Sequence, residues 1–116
     1  MLKVVRSADA DTYEPEPNWK RTSLCQEEAI SIEHFLKPPH HRSPEHSHPA
    51  AQVLVVLEGE IRIETGDESE DIGKGDAVYI PGNETHIISN LSDNNAAGLD
   101  IFVPGRSFDF WLKRKK

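Results

Sequence analysis

Glycine, proline, asparagine and aspartate cut this chain into short apolar runs, and that punctuation limits its fold more than any other feature. Val53-Leu54-Val55-Val56-Leu57 is apolar on both parities, which predicts a strand buried on both faces. Glu58-Gly59 reads as a tight hairpin turn. Glu60-Ile61-Arg62-Ile63-Glu64 then alternates polar and apolar, as a half-buried strand does. Thr65-Gly66-Asp67-Glu68 and Pro81-Gly82-Asn83 are further turns, with Ala77–Ile80 a short strand between them. The expected strands are 29–37, 46–57, 60–64, 77–80, 86–90 and 98–103, with Trp19–Cys25 a further candidate. Many short strands separated by turn residues predict an all-β sandwich or barrel with little helix.

A chain of 116 residues has room for one core and one domain. Residues 7–18 are polar and contain Pro15 and Pro17, so 1–18 is expected as an N-terminal arm. Residues 19–112 are expected to form the barrel and 113–116 a solvated basic tail. In 29–37, Ile30, Ile32, His34 and Leu36 share one parity and are expected on the packing face, with His34 a hydrogen-bonded core residue. His40 and His41 fall in the loop that leads into the next strand, where they are expected at the surface or at a cavity entrance. The formal net charge of −7 argues against a nucleic-acid partner. No apolar run reaches membrane-spanning length, and the short, charged Met1–Arg6 is not expected to act as a signal peptide. The single cysteine, Cys25, cannot form an internal disulfide, which suits a cytoplasmic protein.

His46-Ser47-His48, Gln52 and the distant His86 are residue types that bind metal. On a strand, side chains at i and i+2 share a face, so His46 and His48 are expected side by side with Gln52 on the same parity. His86 would join them from another strand. Three imidazoles and an amide oxygen leave open positions for water or substrate, as in a catalytic rather than a closed structural site. One divalent transition metal ion is expected, with nickel, zinc, iron and manganese all compatible. Its charge would be uncompensated by Gln52, so the site should favour a small anionic ligand. A polar pocket without metal is the other reading of the same residues.

The last apolar run, Leu99-Asp100-Ile101-Phe102-Val103, ends at Pro104-Gly105-Arg106. Leu99, Ile101 and Val103 are expected to form its packing face, with Asp100 and Phe102 opposite. If Asp100 and Phe102 look into the barrel, an acid and an aromatic ring stand near the metal. Asp100 could then serve as acid or base, and Arg106 could hold a substrate carboxylate. Spacing alone leaves both residues equally compatible with a solvent-facing role.

His46-x-His48-x3-Gln52-x6-Gly59 and Gly75-x5-Pro81-x4-His86-x3-Asn90 resemble the two motifs of the cupin superfamily, with fifteen residues between Gly59 and Gly75. The sequence departs from the pattern in having Gln52 for the usual acid, His40 for the opening glycine, and Asn83 for a glycine after Pro81. The resemblance implies a single-domain double-stranded β-helix, a jelly-roll barrel with metal in its mouth, and a homodimer. The closing Leu-Asp-x-Phe-x-Pro-x-Arg is similar to small cupins of pectin and alginate degradation, which linearise unsaturated uronates. That resemblance implies His46, His48, Gln52 and His86 as metal ligands, Asp100 as catalytic, and Phe102 and Arg106 as substrate-binding. A metal-dependent isomerase of a sugar acid is therefore the leading expectation. A metal-dependent dioxygenase and a non-catalytic ligand-binding or regulatory cupin are the alternatives.

Overall fold

The computed structural model describes residues 1–113; the rest of the expected basic tail, residues 114–116, lies outside the described residues. After a 3-10 turn at Ser7–Asp9 come nine strands among the described residues. They are β1 (Thr12–Glu16), β2 (Trp19–Gln26), β3 (Ser31–Lys37), β4 (Ala51–Glu58), β5 (Glu60–Glu64), β6 (Ser69–Gly73), β7 (Ala77–Ile80), β8 (Ile87–Ser89) and β9 (Ala96–Val103). A one-turn helix, α1 (Asp109–Leu112), follows. The strands form a six-stranded sheet, β1-β2-β3-β9-β4-β7, and a three-stranded sheet, β6-β5-β8, all paired antiparallel. This is the all-β barrel that the punctuation predicts, in the jelly-roll double-stranded β-helix form that the motif resemblance implies.

Two strands were not foreseen. Residues 12–16, expected within the arm, form β1 and pair with β2, because the proline-bearing segment occupies a sheet edge that asks little of backbone N–H donors. Ser69–Gly73 pairs with β5 although it carries no apolar run, held partly by Arg62 on Asp71 at 2.6 and 3.0 Å. Conversely, the strand expected from residue 46 begins only at Ala51. Pro49 interrupts it, and His46 contributes an isolated bridge to His86 instead.

The parity of the six-stranded sheet overturns three expectations. In β3 the buried side chains are Ser31, Glu33, Phe35 and Lys37, while Ile32, His34 and Leu36 lie half-buried on the outer face. His34 is thus not a core residue. In β9, Asp100 and Phe102 point inward, and Leu99, Ile101 and Val103 point outward. In β4, Gln52, Leu54 and Val56 are buried; Val53 and Val55 are half-buried and Leu57 is 41% exposed, so this strand is not buried on both faces. The apolar core is Phe35, Leu54, Val56, Ile61, Ile63, Ile80, Ile88 and Ala96, between the two sheets. Apolarity marked the wrong face because the interior of this barrel carries charge.

Gly98 shows how tightly that interior closes. It pairs with Phe35 on one side and Val56 on the other. A Cβ there would strike the Val55 carbonyl oxygen and stand 2.7 Å from the Phe35 ring. Asn90, which closes the second motif, is fully buried and gives its amide to the carbonyls of Lys37, Pro38 and Asn94 at 3.2, 3.1 and 2.8 Å. It fastens the loop that carries His40 and His41. His40 itself has φ +59°, the left-handed conformation that a glycine adopts freely, and Asn83 has φ +65°. Both departures from the motif glycines therefore sit in the left-handed backbone region that glycine adopts freely.

Candidate metal centre

His46 and His48 stand on the loop before β4 and His86 on the loop before β8. The backbone exchange between His46 and His86, at 2.9 and 3.1 Å, brings the two loops together. One ring nitrogen of each of the three histidines lies within 4.8 Å of the others. Each Nδ1 donates to a carbonyl two residues away: Pro44 for His46 at 2.9 Å, Ala50 for His48 at 2.8 Å, Glu84 for His86 at 2.8 Å. A carbonyl only accepts, so each ring carries its proton on Nδ1 and presents a bare Nε2 to the common point. Burial lowers the pKa of His46 and His86, which favours the neutral ligand form.

Gln52 completes the set. Its Nε2 donates to Asp100 Oδ1 at 2.7 Å, and its Oε1 faces His48 Nε2 at 3.0 Å. Asp100, as a carboxylate, only accepts, so the amide nitrogen must be the end turned toward it. Two electron-pair donors, the amide oxygen and a bare imidazole nitrogen, then face each other. A cation held by both residues would remove that conflict. His86 Nε2 is buried with no hydrogen-bond partner among the described residues, a second unsatisfied atom that a metal–ligand bond would satisfy. The donor set therefore fits a divalent metal held by His46, His48, His86 and the Gln52 oxygen.

Behind the imidazoles lies a buried ionic network that the sequence reading missed. Arg21 bonds Glu33 at 2.8 and 3.1 Å and pairs with Asp100 Oδ2 at 2.8 Å. Burial opposes the charges of Arg21 and Glu33. The attraction between partners wins, holding Arg21 above and Glu33 below their ordinary ranges. Arg106 reaches Glu33 at 3.1 and 3.3 Å and lies over the rings of Phe102 and Phe110 at 4.0 and 4.2 Å. Its Nε is buried and unpartnered among the described residues. Trp111, on α1, donates to Glu33 at 2.7 Å and caps the mouth against Trp19. The one legible signal for this network was polar residues at alternate positions in otherwise strand-like segments.

Of the residues singled out from sequence, His46, His48, Gln52 and His86 converge, and Asp100 touches Gln52. Phe102 stacks edge-on against His48 at 5.4 Å. Arg106 is brought to Glu33 and Phe102, not to an open rim. Trp19 is 8% exposed within this chain and stacks on His41 at 4.6 Å. His40 lies at the surface beside Asp93 at 2.7 Å. An inner cavity of about 50 Å³ is lined by Arg21, Lys37, His46 and Asp100 among others. Outside it, a mouth of about 360 Å³ lies between His46, His48, Phe110 and Trp111.

Comparison with known proteins agrees with this architecture. The structure is similar to KdgF from Halomonas sp., with TM-score 0.83 and 20% identity over 95% of this chain and 99% of that one. It is similar to an RmlC-like cupin from Shewanella frigidimarina, with TM-score 0.81 and 19% identity over 95% and 96% of the two chains. It also resembles oxalate decarboxylase from Bacillus subtilis, a protein with Mn(II) centres, at TM-score 0.82 and 19% identity over 95% of this chain and 32% of that one. No curated protein sequence matches the chain. The family model for the cupin domain matches residues 34–102, which is more than half of the sequence and spans all four converging residues. With both motifs, the barrel and this match in agreement, the chain belongs to the cupin family.

Proposed function

We propose that this cupin is a metal-dependent isomerase that opens an unsaturated uronate, or a related small sugar acid, to its linear keto form. The observation that carries the reading is the charge beside the imidazoles. Arg21 and Arg106 are balanced by Glu33 and Asp100, so a divalent cation held by four neutral donors would leave this interior net positive. Such an interior favours a carboxylate-bearing ligand, and the unpartnered Arg106 Nε is a donor for one. The structural similarity to KdgF and the Leu-Asp-x-Phe-x-Pro-x-Arg ending support the same substrate class.

His46, His48, His86 and Gln52 would hold the ion. A divalent cation bound there supplies a Lewis acid for a carbonyl or hydroxyl oxygen. Ring opening removes the proton of the anomeric hydroxyl, breaks the bond from the anomeric carbon to the ring oxygen, and leaves an enol. Protonation of the neighbouring carbon then gives the ketone, so no proton is gained or lost overall. Asp100, beside Gln52 and at the cavity wall, is the carboxylate assigned to that transfer. Phe102 supplies an apolar wall, and Phe110 and Trp111 exclude water from the mouth. The outer cavity is of ligand size, whereas the inner one is not, so the sugar ring belongs in the mouth.

The test is consumption of an unsaturated uronate, read as loss of its ultraviolet absorbance and by NMR of the linear product, against an enzyme-free control. Asp100→Asn should retain metal and lose roughly a hundredfold to ten-thousandfold in rate. If metal-loaded protein gives no acceleration over the control, the isomerase reading fails. The small inner cavity would then favour a non-catalytic ligand-binding cupin. A dioxygenase draws less support, because an acid adjoins the ligand set and the surroundings are strongly polar.

A further inference from the structure

Lys37 is the interior residue with no part in the site as described so far. It is 2% exposed and points into the barrel from the end of β3. Its Nζ donates to Ser43 Oγ at 2.7 Å, lies 2.7 Å from His41 Nδ1, and sits over the Trp19 ring at 4.8 Å. No carboxylate among the described residues bonds it. His41 in turn bonds Glu16 through Nε2 at 3.0 Å, and the Glu16 side chain is 54% exposed. An amine in a cavity, an imidazole and a solvent-facing carboxylate are thus joined end to end.

The bonds fix the tautomer. Glu16, as a carboxylate, accepts, so His41 carries its proton on Nε2 and its Nδ1 accepts from Lys37. We propose that Lys37, His41 and Glu16 form a proton relay between the barrel cavity and solvent, with Lys37 as the proton-transfer group at the cavity end. A neutral Lys37 takes a proton and becomes an ammonium. It passes one N–H proton to His41 Nδ1 as the Nε2 proton leaves to Glu16 or water. The amine and the imidazole both end neutral, and the reverse sequence returns a proton to the cavity.

The surroundings suit that role. Burial, and then the neighbouring Arg21, lower the Lys37 pKa from its ordinary 10.5 to about 7, against weaker support from Asp100 and Glu16. The titratable and charged groups around it are therefore Glu16 from β1, Arg21 from β2, Asp100 from β9, and His41 and His46 from the loop after β3. Lys37 and His46 line the same inner cavity of about 50 Å³, which is wide enough for a water molecule to carry a proton onward. Burying an amine without a carboxylate partner is destabilising, and a methionine would fill the same space. Use of the relay in ring opening rests on the isomerase reading; its existence does not.

The experiment follows lysine side-chain ¹³Cε resonances of metal-loaded, ¹³C-lysine-labelled protein through a pH titration, with Lys37→Met for assignment. Lys37 should titrate near neutrality while exposed lysines titrate in the ordinary range, and His41→Phe, which removes its acceptor, should lower the midpoint further. A Lys37 midpoint in the ordinary range, or one indifferent to His41→Phe, overturns the relay. If the wild type opens the uronate, Lys37→Met should lose roughly a hundredfold or more while keeping its metal. His41→Phe should then become dependent on buffer concentration, because small buffers replace the broken link. A fully active Lys37→Met sinks the catalytic use and leaves the isomerase reading standing. A wild type without activity sinks the isomerase reading, and the two titrations still decide the relay.

Discussion

Gln52 is an amide because it must do opposite things at its two ends. It donates to Asp100 and offers an oxygen to the ligand set. A glutamate there would place two carboxylates against each other, with nothing to donate between them. Gln52→Glu is therefore expected to weaken metal binding despite the stronger ligand charge. Adding Asp100→Asn should restore part of it, because the asparagine amide can donate to the new carboxylate. Metal affinities across this double-mutant cycle check the coupling; additive effects would show that Asp100 does not orient residue 52. Lys37 gives a second prediction, in stability. Its folded pKa is lowered, so between about 7 and 10.5 the unfolded chain holds a proton that the folded chain has released. Unfolding free energy should rise with pH across that window and carry the full penalty below it. Each pKa unit is about 1.4 kcal/mol, so Lys37→Met should be more stable than wild type at neutral pH and show a flatter pH dependence. Denaturant titrations of the two proteins at several pH values test this.

Among the elements, β4 separates core from surface within one strand. Leu54 is 1% exposed and packs between the sheets, whereas Leu57 is 41% exposed. Leu54→Ala should cost about 2–5 kcal/mol of unfolding free energy, the range for a buried leucine that leaves a cavity. Leu57→Ala should change it by about 0.5 kcal/mol or less, as at other exposed sites. Equal losses would mean that Leu57, at the end of β4 beyond the cross-strand rows of Val53 and Val55, is packed as Leu54 is. The helix α1 is too short to stand alone, and it is held in place by Trp111 on Glu33 and by the Phe108 amide on Gln26 at 2.6 Å.

At the scale of the molecule, the outer face of the six-stranded sheet is more apolar than a solvent-facing sheet needs to be. Ile32, Ile101, Val53 and Tyr79 lie in one cross-strand row, and His34, Leu99 and Val55 in the next. Tyr79 is 64% and Val103 51% exposed. Leu2, Val4 and Val5 add further exposed apolar area on the N-terminal arm. We expect a homodimer that covers this face, held by these residues and not by Trp19. Light scattering at micromolar concentration should return twice the chain mass, and charged substitutions at Val53 and Ile101 should halve it. A monomeric wild type would exclude the assembly. Among the described residues no helix is long and apolar enough to cross a membrane.

The sequence by itself determined the fold class, most strand positions, both motifs and the four residues that converge at the candidate metal centre. Those are local properties, written in turn residues, short apolar runs and spacing. Gly98 against Phe35 and Asn90 across two loops are not local, and neither could be read from the chain. Least legible was which way each strand faces. Apolar parity marked Ile32, Leu36, Leu99 and Ile101 as interior, yet the tertiary structure turns them outward and buries Glu33, Lys37 and Asp100. Periodicity reports that two faces differ, and burial of charge becomes tolerable only when partners from other strands arrive. Arg21 meets Glu33 across twelve residues, and Asp100 meets Gln52 across forty-eight. The pairing of distant strands therefore decided that the polar face, with its candidate metal ligands and its buried amine, is the inside of this barrel.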